Sequence, residues 1–271
     1  MVVNRTQVVP VRAPQAADWA LSRGISALTT SQVAELLGAP AGQVPQRLAS
    51  AIRRTEWVTP ARGLWVPVPP EFRGWGGPPA VEFIDALMTH LNVEYYLGWL
   101  SAAALFGATH HAPQVTQVAT SGLVRDRRVG QVRLEFHTRT LVGAVPTTSH
   151  MARSGEVSVS VPEVTALDLA ADLAVGGGLD NVATVVVELA EQDRLRVQEL
   201  ASLALRYPPA VGRRLGWILE EFTEIGGLEE LRQAVRRVVP TPSLLDSLST
   251  ARGLVDKRWN VRINAGVEVE A

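Results

Sequence analysis

Residues 25–69 read ISALTTSQVAELLGAPAGQVPQRLASAIRRTEWVTPARGLWVPVP, and this stretch decides the N-terminal fold. Thr29 and Gln32 have the S/T-x-x-Q spacing of a capping box. In that motif the hydroxyl and the side-chain amide each satisfy a backbone N–H that a helix start leaves open. Leu28 and Val33 occupy the hydrophobic-staple positions on either side of the same cap. Val33, Leu36 and Leu37 then make the buried face, and Gly38 ends the helix. Ala39–Gly42 reads as a turn. A second helix is predicted from about Gln43 or Pro45 to Thr55, with Val44, Leu48, Ala51 and Ile52 inward. Gln46, Ser50 and Arg53 face outward, with Arg47 and Arg54 slightly rotated from them. Glu56–Val58 and Leu64–Val66 are predicted to pair as a hairpin around Thr59–Gly63, with Arg62 at its tip. Helix, turn, basic helix and hairpin in this order predict a winged helix-turn-helix, which lays one helix in a DNA groove.

Working outward, Pro14–Arg23 reads as a preceding helix stopped by Gly24, and residues 1–13 as a loose arm. Residues 1–68 hold seven arginines against Asp18, Glu35 and Glu56, a net of +4, within a chain whose formal charge is −1. The remaining residues therefore carry −5, so a basic head sits on an acidic body. The outward side chains are the types that read DNA. Arginine reaches guanine or phosphate, glutamine reaches adenine, and serine suits either. Gln43, Gln46, Arg47, Ser50, Arg53, Arg54 and Arg62 are the expected DNA-contacting residues.

The chain has 271 residues, 46% of them hydrophobic, enough for two domains and a sizeable core. Residues 67–79, PVPPEFRGWGGPP, read as a boundary or stiff linker. The expected division is 14–68 for the DNA-binding head, 69–79 for the linker and 80–271 for an α+β body. In the body Ala80–Leu91 is an amphipathic helix and Tyr95–Ala108 a second, more buried helical stretch. Val115–Ser121, Gln131–Thr140 and Val157–Val161 are strand candidates; the middle one alternates Val132, Leu134 and Phe136 against Arg133, Glu135 and His137. Arg125, Arg127 and Arg128 lie on an expected hairpin tip and are candidates for additional phosphate contacts. Ser160 and Glu163 have capping-box spacing at the start of another helix. Helices are expected at about 179–191, 195–206, 209–223 and 227–238. A turn at 240–242, a short helix and a final strand over 257–264 follow.

The body shows no catalytic constellation. With no cysteine, disulfides and thiolate chemistry are excluded. His90, His110, His111, His137 and His150 lack metal-ligand spacing, so no metal and no cofactor is expected. Asp168 and Asp172 sit one helical turn apart, and an ordinary solvent-facing or capping role explains them better than acid–base work. Gly74–Gly77 and Gly176–Gly178 lack the ending of a phosphate loop. Val197–Leu219, with Arg206, Arg213 and Arg214, resembles a second helix-turn-helix, but Leu200, Leu203, Leu215 and Ile218 favour simple packing. Tyr95, Trp99 and Phe106 would line a pocket in a ligand-sensing regulator, although their helical spacing makes them core first. A nuclease body would need E-x-K or Q-x-K, and the single lysine, Lys257, stands in neither. No window of eighteen uninterrupted apolar residues occurs and the N-terminus has no signal-like run, so a soluble cytoplasmic protein without membrane partners is expected.

Four stretches resemble one family. Glu94–Gly107 (EYYLGWLSAAALFG) is similar to the "YY, then SA-x-x-x-x-G" pattern of AbiEi-type antitoxins, and Val159–Asp168 (VSVPEVTALD) to their "S-x-P-E-x-T-x-L-D" helix start. Ala210–Phe222 (AVGRRLGWILEEF) and Arg258–Asn264 (RWNVRIN) resemble the family's general pattern. The resemblance implies the antitoxin of a type IV toxin–antitoxin pair, a winged-helix head joined to a mixed α/β antitoxin domain with a small sheet and a helical C-terminal half. It further implies a head that represses its own operon at promoter repeats in double-stranded DNA, and a partner toxin of nucleotidyltransferase type. The matching DNA-contact positions lie on the helix bearing Gln46, Arg47, Ser50, Arg53 and Arg54, and at Arg62.

Overall fold

The computed structural model describes residues 10–109, 113–236 and 241–270. A 3-10 turn (Ala13–Gln15) leads into helix α1 (Ala16–Leu21), followed by strand β1 (Leu28–Thr29) and helix α2 (Thr30–Leu37). Thr29 caps α2 with the reciprocal box that its spacing predicts, and Gly38 closes it in the left-handed conformation. The basic helical stretch is two short segments, α3 (Val44–Arg47) and α4 (Ala49–Arg53), rather than one helix. Leu48 separates them at φ −90° and ψ 0° while its side chain stays fully buried. A hairpin follows, β2 (Trp57–Ala61) and β3 (Leu64–Pro67), and with β1 it forms a three-stranded sheet in the order β1-β3-β2. The strand candidate over Glu56–Val58 extends to Ala61, with an irregularity between Val58 and Ala61 where Pro60 has no N–H to donate.

The Pro/Gly-rich stretch is packed. A 3-10 helix (Pro70–Trp75) lies against the body, where the Gln131 N–H donates to the Trp75 carbonyl at 2.9 Å. Gly76 and Gly130 touch backbone to backbone: a Cβ on Gly76 would lie 2.7 Å from the Gly130 Cα. Helix α5 (Ile84–Leu91) then precedes β4 (Tyr95–Leu97), α6 (Trp99–Leu105) and β5 (Thr116–Thr120). The helix expected over Tyr95–Ala108 is thus a strand and a shorter helix. Its first residues are claimed by the sheet, since β4 pairs antiparallel with β5 and parallel with a later strand. Strands β6 (Arg127–Val129), β7 (Val132–Thr138), β8 (Thr147–Ala152) and β9 (Gly155–Ser160) complete a six-stranded mixed sheet in the order β6-β7-β5-β4-β9-β8.

Helix α7 (Pro162–Ala171) opens without the predicted capping box. Val161 is its N-cap and no side chain caps it. Ser160 and Glu163 are both buried and engaged elsewhere: Ser160 shares a hydrogen bond with the Thr165 hydroxyl at 2.7 Å, and Glu163 accepts from the Arg196 backbone N–H at 3.0 Å. Helices α8 (Leu179–Glu191), α9 (Val197–Ala204), α10 (Pro209–Phe222) and α11 (Leu228–Val235) fall where their periodicity places them. The short helix expected near residue 243 is instead strand β10 (Ser243–Leu244). It joins β11 (Leu254–Asp256) and β12 (Val261–Ile263) in a small sheet of order β10-β12-β11, so the expected final strand is a turn followed by β12.

Both faces of the large sheet are covered. On one, Leu97, Val118, Leu134, Phe136, Val157 and Val159 meet α5 and the hairpin residues Ala61, Leu64 and Val66. On the other, Tyr96 and Ala119 meet α6 to α10 and Trp259. A third cluster, centred on Val33, Leu37, Val44, Leu48 and Trp65, fills the N-terminal unit. Fully burying a valine or leucine side chain stabilises by about 1.5–3 kcal/mol, so the contributions of Leu64 and Val66 to the body's core are energetically substantial.

The Gly76–Gly130 contact makes a clear prediction. Gly130 has φ +60°, and a Cβ there would overlap the Gly76 backbone. Gly130→Ala is expected to destabilise by about 2–4 kcal/mol from strain and overpacking together, measured by urea unfolding, whereas Gly42→Ala, with open space around it, is expected to change little.

Candidate nucleic-acid interface and the buried polar joint

The basic stretch presents a polar face to solvent. Val44, Leu48 and Ala51 are buried against α2 and the hairpin, while Gln43, Gln46, Arg47, Ser50, Arg53 and Arg54 are exposed. Ile52, expected inward, is 40% exposed. The break at Leu48 shifts the wheel of α4 relative to α3, so one continuous 3.6-residue period over-predicts its burial.

Local hydrogen bonds pre-orient this face. Arg47 donates to the Gln43 side-chain oxygen at 3.3 Å, and Arg53 to the Ser50 hydroxyl at 2.9 Å. Neither guanidinium has a carboxylate within ion-pair distance among the described residues, so both charges face outward uncompensated. Arg54 differs. It grips Glu56 through two nitrogens at 2.8 and 3.1 Å, and these hydrogen bonds, then the Glu56 charge, hold its pKa above the ordinary arginine value. Arg62 is exposed at the hairpin tip, where its own carbonyl lies 3.0 Å from His90 Nε2.

The Arg125–Arg128 run is divided. Arg125 is exposed in the loop before β6, and Arg128 is exposed with Nε donating to the Gly130 carbonyl at 2.9 Å. Arg127 turns inward and donates to the Pro60 carbonyl at 2.8 Å. The structure therefore gathers Gln43, Gln46, Arg47, Ser50, Arg53 and Arg54 on one short stretch, and ties Arg127 to the hairpin rather than to solvent.

A second set of polar groups lies inside the body. Asp168, expected at the surface, is fully buried. Its carboxylate accepts from the Tyr96 hydroxyl at 2.8 Å and the Tyr207 hydroxyl at 3.0 Å, and Arg139 Nη2 lies 4.0 Å away. Burial pushes the Asp168 pKa up and outweighs the opposing pull of Arg139 and the tyrosines. Burial also raises both tyrosines, with the Asp168 charge adding to it. Asp172 is a local cap, accepting from the Val175 N–H at 3.4 Å, and does not join Asp168 in an acid–base pair. Tyr207 and Arg139 reach the site from α9's end and β7's end; nothing in their local sequence marks them, because only the topology brings them to α7.

The other candidates resolve similarly. Arg213 and Arg214, considered for a second DNA contact, are buried; Arg213 donates to the Thr241 carbonyl, and Arg214 to the carbonyls of Ala170, Leu244 and Leu245. Trp99 is core, and His137 packs against its ring with centroids 4.8 Å apart. Tyr95 is partly buried and donates to Asp85 at 3.1 Å. His110 and His111 lie outside the described residues. Among the described residues no three His, Asp or Glu side chains are grouped as metal ligands, and no helix is long and apolar enough to cross a membrane.

Residues 96–221 match the model of the family described as AbiEi antitoxin C-terminal domain. No curated protein matches the chain. Among solved structures, the RV2827C protein from Mycobacterium tuberculosis shares the fold with a TM-score of 0.65 at 15% identity, over 94% of this chain and 92% of that one. The coverage takes in the N-terminal unit as well as the body.

The Asp168 joint has a testable sign. A carboxyl whose folded pKa is raised stabilises fully below its unfolded pKa, about 4, and loses that contribution as pH rises through the folded value. Thermal melts of Asp168→Asn, which keeps a hydrogen-bonding side chain without the charge, should therefore gain on the parent as pH increases. Asp168→Ala should cost about 2–5 kcal/mol, because it strands two buried tyrosine hydroxyls.

Proposed function

We propose that this chain is the antitoxin and transcriptional autorepressor of a toxin–antitoxin operon, acting in the cytoplasm and without catalytic activity of its own. In this reading residues 14–68 are a winged helix-turn-helix that places α3–α4 in the major groove of double-stranded promoter DNA. Residues 80–271 counteract a nucleotidyltransferase-type toxin. The observation that carries the proposal is the exposed row Gln46, Arg47, Ser50 and Arg53, backed by buried Val44, Leu48 and Ala51, on a chain with an antitoxin domain.

The physical case rests on charge and shape. Arg47 and Arg53 offer guanidinium forks already oriented by neutral partners, so little side-chain freedom is lost on meeting a guanine edge or a phosphate. The net +4 of residues 1–68 supplies the sequence-independent attraction. Arg54 contributes less, since its bidentate bond to Glu56 must be broken before it can reach DNA.

Binding to the chain's own upstream DNA and to a scrambled duplex, across a salt series, tests the DNA reading. Selective binding with a steep salt slope is expected. Arg53→Ala should cost about 1–3 kcal/mol of operator binding, roughly five- to a hundred-fold, and Arg54→Ala distinctly less. Equal binding to both duplexes would remove the operator-reading role. Co-expression with a nucleotidyltransferase from the same operon tests the antitoxin role: growth should be restored by the full chain.

A further inference from the structure

The hairpin tip is fixed from three sides. Its ladder is interrupted between Val58 and Ala61, which leaves the Pro60 carbonyl outside the strand pairing, and Arg127 of β6 donates to that oxygen at 2.8 Å. The Arg62 carbonyl lies 3.0 Å from Nε2 of His90 on α5. A carbonyl only accepts, so Nε2 carries the proton in this contact. The Gly63 carbonyl accepts from the Thr30 N–H of α2 at 2.9 Å. The His90 ring also lies against Gly63, where a Cβ would meet Cε1 at 3.6 Å. Around these polar contacts Ala61 and Leu64 are buried against the body's core, and the Arg62 side chain is left exposed.

We infer that Arg127 and His90 are positioning residues: the body clamps the hairpin tip through the main-chain oxygens of Pro60 and Arg62, and so fixes where Arg62 is presented to DNA. The DNA consequence rests on the function proposed above; the clamp itself does not. A free two-stranded tip would have to be ordered when it met a phosphate, losing about 1–2 kcal/mol of backbone entropy per residue fixed. Here that ordering is complete before binding. The inference also gives Arg127 a different role from a phosphate contact. Its guanidinium serves the DNA surface from behind, through the hairpin backbone, and makes a body element part of the head's recognition geometry.

Two measurements test this. Hydrogen exchange on the free full-length protein reads the clamp alone: amides of residues 61–64 should exchange faster in Arg127→Ala and in His90→Ala, with the core of α10 unchanged. His90→Gln, which retains a donor at a similar reach, should restore protection. Unchanged exchange at the tip in both alanine variants would overturn the clamp.

Operator affinity then reads the consequence through a double-mutant cycle. Arg62→Ala and Arg127→Ala should each weaken binding by about three- to ten-fold, on the scale of one ordinary surface phosphate contact. The double variant should be no weaker than Arg62→Ala alone. Multiplying losses, with the salt slope falling by a further unit, would make Arg127 a direct phosphate ligand and overturn its positioning role, as would an Arg127→Ala affinity equal to that of the parent. Should Arg127→Ala fail to fold, the cycle with His90→Ala carries the same expectation. Failure of the function proposed above looks different, because the unaltered protein itself would then show no preference for the operator, while the exchange data would still decide the clamp.

Discussion

Strand β3 has no face to give to water. Leu64 and Val66 point into the core beneath the six-stranded sheet, and Trp65, between them, points into the core of the N-terminal unit. Side chains alternate along a strand, so a slip of one residue would send the indole into the body and the aliphatic groups into the head. One four-residue strand therefore sets both the register of the hairpin and the attachment of the two units. Much of the remaining geometry follows from it. With β3 fixed, the hairpin tip falls beside α5 and β6, and the Pro/Gly-rich segment after it is drawn against the β6–β7 turn, where two glycine backbones meet.

The stretches that resemble the antitoxin family turn out to be the ones that join the body's parts. Tyr96 of the first stretch donates to Asp168 of the second. Ser160, Glu163 and Thr165 of the second hold the sheet–helix junction and the approach to α9. Arg214 of the third donates to the Ala170 carbonyl near the end of α7. Glu220 of the third accepts from the indole of Trp259 in the fourth at 2.6 Å. Apart from the local Ser160–Thr165 bond, these joints link polar groups distant in the chain, which gives the fold directional contacts that apolar packing alone lacks.

Local signals in the sequence were legible where local chemistry decides the outcome. The Thr29–Gln32 cap, the Gly38 stop and the helices from Leu179 to Val235 needed only spacing and punctuation. The exposed basic row was equally readable, since Val44, Leu48 and Ala51 define the opposite face. Three things were hidden. Glu94–Gly107 has the apolar density of a helix, and only its place between β5 and β9 makes Tyr95–Leu97 a strand. Ser160 and Glu163 have the spacing of a cap, but burial gives each a better partner than the helix start. Asp168 and Asp172 look alike in sequence, yet Tyr96, Tyr207 and Arg139 converge on the first alone. For Tyr95–Leu97, Glu163 and Asp168 the deciding partner lies far along the chain, out of reach of any window, whereas Ser160 is claimed by Thr165, five residues on.

Gly216 and Trp259 carry a consequence for synthesis. The indole lies so close over Gly216 that no Cβ fits beneath it, and it covers the middle of α10 while Glu220 takes its N–H. A ribosome delivers α10 well before it delivers Trp259. Until then the surface of α10 around Gly216 and Glu220 lacks the cover and the N–H that the indole supplies in the folded protein. Contacts this distant in the chain close late. Covering the middle of α10 therefore depends on a residue that lies far along the chain from it.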